Sequence, residues 1–150
     1  MINEQIKLTG ELQIVLRDSN GNIKEQKTVP NLVVTTGKVV IASRLTGNTT
    51  GVMTHMALGT STISPVAADT TLGTEILNSR VALTVPGGGA TANVVTFSSI
   101  FGPGVGTGAL TEAGIFNDSL AGSMLCRTVF SVVNKDVGDT LTINWAVTIS

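Results

Sequence analysis

From Thr140 to Ile149 the chain alternates without a break. Leu141, Ile143, Trp145, Val147 and Ile149 fall on one side, and Thr142, Asn144, Ala146 and Thr148 on the other. A period of two belongs to a half-buried β-strand, whose successive side chains point to opposite faces of the pleat. Trp145 lies on the apolar side and is expected in the core. Near the other end the same rule holds. Ile6, Leu8, Leu12, Ile14 and Leu16 line one face of Gln5–Arg17, with Gly10 on that face as a candidate bulge.

The residues between these strands are of the same kind. Of 150 residues, 22 are threonine and 18 are valine, both β-branched and suited to a pleated surface. Seventeen glycines and 4 prolines supply turns. Asp18–Asn22 contains Asn20-Gly21, a strong hairpin signal, and predicts a return strand over Ile23–Val29 whose Lys24, Glu25, Gln26 and Lys27 mark a charged edge. Pro30 ends that strand or starts an irregular one. Thr35–Gly47 is the one predicted helix, about 35–46. Thr35 or Thr36 would cap it, Val40, Ile41 and Leu45 would anchor it, and Gly47 would stop it. Further strands are predicted over His55–Leu58, Glu75–Val85, Ala92–Phe101, Leu110–Phe116 and Met124–Val133. The intervening segments Thr60–Thr74 (turning at Ser64-Pro65), Pro86–Gly89, Gly102–Gly108, Asn117–Gly122 and Asn134–Asp139 read as loops. About eight short strands with turn signals between them indicate an all-β fold. The expectation is one β-sandwich or jelly-roll-like domain over residues 1–150, opened by a hairpin or arm over 1–30.

Charge narrows the function. Charged residues make up 13% of the chain and the formal net charge is −1, with no basic cluster of the kind a nucleic-acid binder carries. No apolar run reaches the roughly 18 residues of a transmembrane helix, and the N-terminus has no secretory pattern. Nucleic acid and membrane are therefore not expected partners. Leu45–Ala68 and Val81–Thr111 hold no Asp, Glu, Lys or Arg. Interface centres are depleted in charge, so these stretches suit a surface covered in an assembly. The plainer alternative is a Thr/Ser-rich solvent face.

Chemistry finds little support. Neither Gly-rich loop is followed by the Lys of a P-loop. Gly104, Gly106 and Ala109 match the relaxed dinucleotide fingerprint but lead into a strand, not a helix. His55 is the only histidine and no Gly-x-Ser-x-Gly elbow exists. Cys126, the only cysteine, sits mid-strand as a small buried hydrophobe and excludes an intramolecular disulfide. Asp136 and Asp139 share a turn, but turn carboxylates usually bond local backbone. No cofactor and no metal is expected. Arg44, Arg80, Glu112 and Arg127 stand in apolar surroundings, either as core or intersubunit ion pairs or as ordinary strand-face charges.

Several blocks, in order, resemble small structural proteins of tailed bacteriophages. They are NLVVTTGKVVIASRL (Asn31–Leu45), MTHMALGTST (Met53–Thr62), TLGTEI from Thr71 with Arg80 after it, GALTEAGIFN (Gly108–Asn117) and MLCRTVFSVVNK (Met124–Lys135). The opening hairpin has no counterpart. The resemblance implies a non-enzymatic virion component. One placement is a capsid decoration (cement) protein of jelly-roll-like fold on the outer surface of the major capsid protein shell. The other is a tail-collar, tail-fibre or neck module, whose N-terminal regions carry similar Thr-His-Met-Ala and Thr-Glu blocks. The sequence stops after its last strand with no fibre shaft, which favours a decoration unit. The implied partners are the major capsid protein and further copies of the chain, as a homotrimer or homodimer. Candidate contact residues are Val52 and Thr54 in the first uncharged stretch and Gly102, Gly104, Val105 and Thr107 in the second. A carbohydrate- or host-surface-binding sandwich is a further reading of the same pattern.

Overall fold

In the computed structural model, which describes residues 2–48 and 51–150, the two alternating end segments lie side by side. β1 (Leu8–Arg17) pairs antiparallel with β9 (Thr140–Ile149) along its whole length, Leu12 opposite Trp145 and Ile14 opposite Ile143. Their apolar faces point the same way, and Leu12, Ile14, Leu16, Leu141, Ile143 and Trp145 are buried. Ile6 lies outside β1 and is exposed. Gly10 forms no bulge. It pairs regularly with Asn31 and Val147, and the side-chain amide of Asn31 occupies the space its Cβ would take. The irregularity of the hairpin lies at Leu16/Arg17. Gly21, at φ +83°, makes the expected turn, and Asp18 accepts the Asn20 and Asn22 amide N–H groups.

β2 (Ile23–Val33) runs through Pro30 rather than stopping there. It pairs with β1 as far as Asn31, then with β8 (Met124–Lys135) at Leu32 and Val33. Upstream of that switch its β8-facing edge is open, and a proline is tolerated on an open edge. Lys27 crosses the gap and donates to the Ser131 carbonyl and hydroxyl, both at 2.8 Å.

The remaining strands are β3 (His55–Gly59), β4 (Val81–Ala82), β5 (Gly89–Thr91), β6 (Val94–Phe101) and β7 (Gly108–Phe116). Nine strands form one antiparallel sheet in the order β4-β3-β7-β8-β2-β1-β9-β6-β5. The sheet curls until its two ends meet: the Thr84 N–H donates to the Ser98 carbonyl at 2.8 Å, and the Ser99 hydroxyl to the Ala82 carbonyl. The result is the expected all-β fold with a sandwich-like interior. First pairs with last, second with second-last and third with third-last (β1·β9, β2·β8, β3·β7), the nesting of a jelly roll.

The one helix among the described residues, α1 (Thr35–Leu45), follows β2 directly and packs on β8. Val40 is buried and Ile41 half-buried, as expected, but Leu45 is 85% exposed. Leu45 is the last residue of the helix, where α1 runs on past its packing on β8. Neither threonine caps it; the Thr36 hydroxyl donates to the Met124 carbonyl at 2.8 Å. Gly47, at φ +70°, stops it. No helix of the described residues is long and apolar enough to cross a membrane.

The predicted strand Glu75–Val85 is broken. Only a bridge from Glu75 to Gly59 and the short β4 pair with β3. Between them Asn78 takes φ +59° and Leu77 swings out, 87% exposed. Ser79 repairs the edge, its hydroxyl donating to the Leu58 carbonyl at 3.0 Å and accepting the Leu58 N–H at 3.1 Å. Thr60–Thr74 has no strand, as read, but turns at Val66–Asp69 instead of Ser64-Pro65. Thr49 and Thr50 of the first uncharged stretch, and Met1 of the opening segment, lie outside the described residues.

Gly37 gives the fold a test with an inverted sign. In an exposed helix Gly→Ala stabilises by about 1 kcal/mol. Here an added Cβ would overlap the Leu125 carbonyl, its carbon at 2.8 Å and Cα at 2.9 Å. Gly37→Ala should therefore lower the urea midpoint, while Val39→Ala, at a 62% exposed helical site, should leave it nearly unchanged.

Candidate functional site

The outer face of β3, β7 and β8 is not bare. The segment 60–74 lies over it, and a second small core of Val34, Ala57, Leu72, Phe116 and Met124 forms beneath. Glu112 on β7 and Arg127 on β8 stand on that outer side. Arg127 pairs with Gly114, which sets it diagonally from Glu112 across the two strands. Neither is open to solvent, at 0% and 2% exposure.

The Glu112 carboxylate is saturated. Oε1 accepts the N–H groups of Ser61 (3.1 Å) and Thr74 (2.7 Å), and Oε2 that of Gly73 (2.9 Å). Arg127 adds Nε at 3.0 Å and Nη2 at 2.9 Å to Oε2. Four hydrogen bonds, from Ser61, Gly73, Thr74 and Arg127 Nε, take up the roughly four lone-pair sites of the carboxylate, and the Nη2 contact completes an ion pair with it. Arg127 also donates through Nη1 to Asp69 at 2.8 Å and through Nη2 to the Ile63 carbonyl at 3.1 Å. Burial pushes the Asp69 carboxyl up, but the Val66 N–H and Arg127 outweigh it and hold it below the ordinary carboxylate value. Burial likewise pulls Arg127 down, and Asp69 and Glu112 more than restore its positive form. Of the four charges left open by the sequence, Glu112 and Arg127 are thus a buried ion pair that fastens a loop. Two glycines make room for it. A Cβ on Gly59 would overlap Glu112 Oε1, and one on Gly73 would come within 2.9 Å of Arg127 Nη2.

Arg80 is a second fastener. Its Nε meets Glu75 Oε1 at 2.7 Å, and its Nη1 meets the carbonyls of Asp118 and Ala121. Its guanidinium lies 3.8 Å over the Phe116 ring. Arg44 is exposed on α1. Lys24 sits between Asp136 (2.9 Å) and Asp139 (2.6 Å), so a lysine from β2 bridges the two carboxylates of the acidic turn. Lys24 and the Asp136 N–H hold the Asp139 carboxyl below its ordinary value.

The six candidate contact residues do not form one patch. Val52 and Thr54 lie at the end where β7 finishes, since His55 pairs with Phe116. Val52 is 45% exposed; the Thr54 hydroxyl contacts His55 Nδ1 at 2.8 Å. Gly102, Gly104, Val105 and Thr107 lie at the end where β7 begins. That loop is anchored. Lys135, buried at 1% exposure, donates to the Gly102 carbonyl at 2.9 Å, and the Gly104 N–H donates to Val137. Burial drives the Lys135 ammonium below its usual pKa, with Asp139 pulling it back. Val105 packs against the core, whereas Gly104 and Thr107 are exposed. Nothing in the sequence marked Lys135, which sits among polar turn residues. Asp69 was equally hidden, because its partner lies 58 positions away. Cys126 is buried, and loss of solvation pushes its thiol well above the ordinary value despite the nearby Asn31 amide. Among the described residues no group of three or more His, Cys, Asp or Glu gathers in a metal-binding arrangement. The chain matches no protein-family model, no curated protein and no solved structure.

Removing one partner of a buried ion pair costs about 3–5 kcal/mol. Glu112→Ala should lose stability on that scale in urea unfolding. Asp69→Asn should cost less and speed thermolysin cleavage within 60–74. Because the folded Asp69 pKa is lowered, its contribution is present above the unfolded value near pH 4 and is lost as pH falls through the lower folded value. Wild type should therefore expose the loop to an acid-active protease below about pH 4, and Asp69→Asn should flatten that dependence.

Proposed function

We propose that the chain is a non-enzymatic virion structural protein of a tailed bacteriophage, and in particular a capsid decoration protein held on the outside of the major capsid protein shell. The observation that carries this reading is what becomes of the resembling blocks. They are separated in sequence, yet they fold into one unit. MTHMALGTST supplies β3, GALTEAGIFN supplies β7, MLCRTVFSVVNK supplies β8, and the helical block supplies α1 packed on β8. The Glu of one block and the Arg of another are the buried pair at its centre.

The charge distribution supports the same reading. The charges on the covered outer side of β3, β7 and β8 fasten loops, and much of the remaining exterior is threonine, serine, glycine and aliphatic side chains. Ile63, Val66, Val85 and Ile100, all from the two uncharged stretches, are each more than half exposed. Apolar groups in an uncharged setting suit contact with other subunits, and the same patch repeated around a symmetric particle adds weak contacts into a firm hold.

Immunogold labelling of this protein on purified virions tests the placement. Gold over the head in many copies is the expected result. Gold confined to the tail or neck would replace the decoration role with the tail-collar one, and unlabelled particles would remove the virion role altogether. Within the decoration role the Gly102–Gly108 loop is testable at Thr107, since Val105 belongs to the core. Thr107→Lys should weaken binding to capsids about tenfold, on the scale of about 1.4 kcal/mol per decade, without moving the urea midpoint.

A further inference from the structure

Three segments meet where β8 turns into β9. The turn 136–139 is closed by the Asp139 N–H, which donates to the Asp136 carbonyl at 3.0 Å. The Gly102–Gly108 loop stands on this turn, its Gly104 N–H donating to the Val137 carbonyl at 2.8 Å. The first hairpin reaches the turn through Lys24 and packs beside it, since a Cβ on Gly138 would touch that of Ser19 at 3.8 Å. Asp139 sits among all three and is 4% exposed.

Two lysines depend on this one carboxylate. Its Oδ2 accepts the Lys24 ammonium at 2.6 Å and the Asp136 N–H at 2.8 Å. Lys135 is the second. An ammonium has three N–H donors, and among the described residues that of Lys135 finds one acceptor, the Gly102 carbonyl at 2.9 Å, and no ion pair. Burial works to strip its proton, and the charge of Asp139 opposes that. Lys24 has Asp136 as an alternative partner, whereas Lys135 has none. The other charges facing the turn offer no substitute. The Asp136 side chain is 78% exposed and already engaged by Lys24. Asp18, in the hairpin turn, is taken up by the Asn20 and Asn22 N–H groups. Arg17, opposite Thr140, is exposed and donates to the Gly21 carbonyl. β9 and the Gly-rich loop contain no charged residue.

From this arrangement we infer that Asp139 is an acid-sensitive latch on the Gly-rich loop. Neutralising its carboxylate leaves the Lys135 ammonium buried without a compensating charge, and the loop lifts from the turn so that water reaches it. A buried charge deprived of its partner is strongly destabilising, whereas a loop held by few contacts opens locally at little cost. This loop has few. Val105 and Gly106 pack inward, but Pro103, Gly104, Thr107 and Gly108 are exposed, and Gly104 ties it to the turn by one bond. The titrations run in the required order. Lys24 and the Asp136 N–H hold the Asp139 carboxyl below its ordinary value, so its charge is present above the unfolded value near pH 4 and is lost as pH falls through the lower folded value. An ammonium titrates on the alkaline side, so Lys135 stays protonated across that window. The inference goes beyond the virion reading and does not rest on it, because it concerns the purified chain alone.

Amide hydrogen exchange of the full chain, followed by NMR and corrected for the intrinsic rate at each pH, tests it. Between about pH 6 and about pH 3 the Gly104 N–H should lose protection by about tenfold or more, while the amides of the β1–β9 ladder keep theirs. Asp139→Asn should show the open loop already at about pH 6. Lys135→Met removes the charge that needs compensation, and its loop should stay protected in acid. Wild type and Lys135→Met suffice for the test if Asp139→Asn does not fold. Unchanged protection of Gly104 in acid would overturn the inference. So would a loss shared equally by the β1–β9 ladder, or an acid response that persists in Lys135→Met. None of these results would alter where gold falls on a virion.

Discussion

The buried pair of Glu112 and Arg127 organises half of this protein. β3, β7 and β8 have an inner face that joins the main core and an outer face that would otherwise meet water. A charge pair on the outer face would ordinarily be solvated and worth little. Here it is covered by 60–74, and the cover is held on by the pair itself. The backbone N–H groups of Ser61, Gly73 and Thr74 find their acceptor in Glu112, and the Ile63 carbonyl finds its donor in Arg127. A loop without secondary structure can be buried only if its polar backbone groups are satisfied. The ion pair satisfies them, and Leu72 then adds apolar contact with Phe116 and Met124.

The same device recurs wherever the regular ladder fails. Ser79 replaces a missing strand partner for Leu58. Lys27 spans the opening between β2 and β8, and Lys24 ties the hairpin to the Asp136–Asp139 turn. Lys135 holds the Gly-rich loop by a single carbonyl. Side chains stitch the seams that backbone hydrogen bonds leave open. The main-core exceptions are the Asn31 amide and the Trp145 indole N–H, buried without a hydrogen-bond partner among the described residues.

Much of the fold was legible in the sequence, where local pattern decides structure. The alternation of Thr140–Ile149 located β9 and its buried face, and Asn20-Gly21 located the first turn. The helix was legible too, but not its orientation: its first turn meets β8 through Thr36 and Gly37, and Leu45, its last residue, stays exposed. The break at Leu77–Asn78 was invisible, since both residues read as part of an ordinary strand. The site was half legible. Glu112 and Arg127 stood out as lone charges on apolar strands, but their meaning depends on Asp69, Ser61 and Gly73, brought in by a loop with no pattern of its own. Gly10 was noticed for the wrong reason. Its missing side chain makes room for Asn31 and does not mark a bulge.

The nested pairing of strands governs when structure can appear. β1 sits in the interior of the sheet, between β2 and β9, and β9 is the last of these nine strands to be synthesised. Until it emerges, the first hairpin has an unpaired edge and an uncovered apolar face, and β6 has no inner neighbour. Pairings between strands so distant in the chain form slowly, because the whole intervening loop must be closed first. The half-made chain therefore passes through a stage when Leu12, Ile14 and Leu16 are bare. The charged residues of β2, Lys24, Glu25 and Lys27, lie on the hairpin's opposite edge and guard that edge against pairing with another chain, while the β1 edge waits for β9.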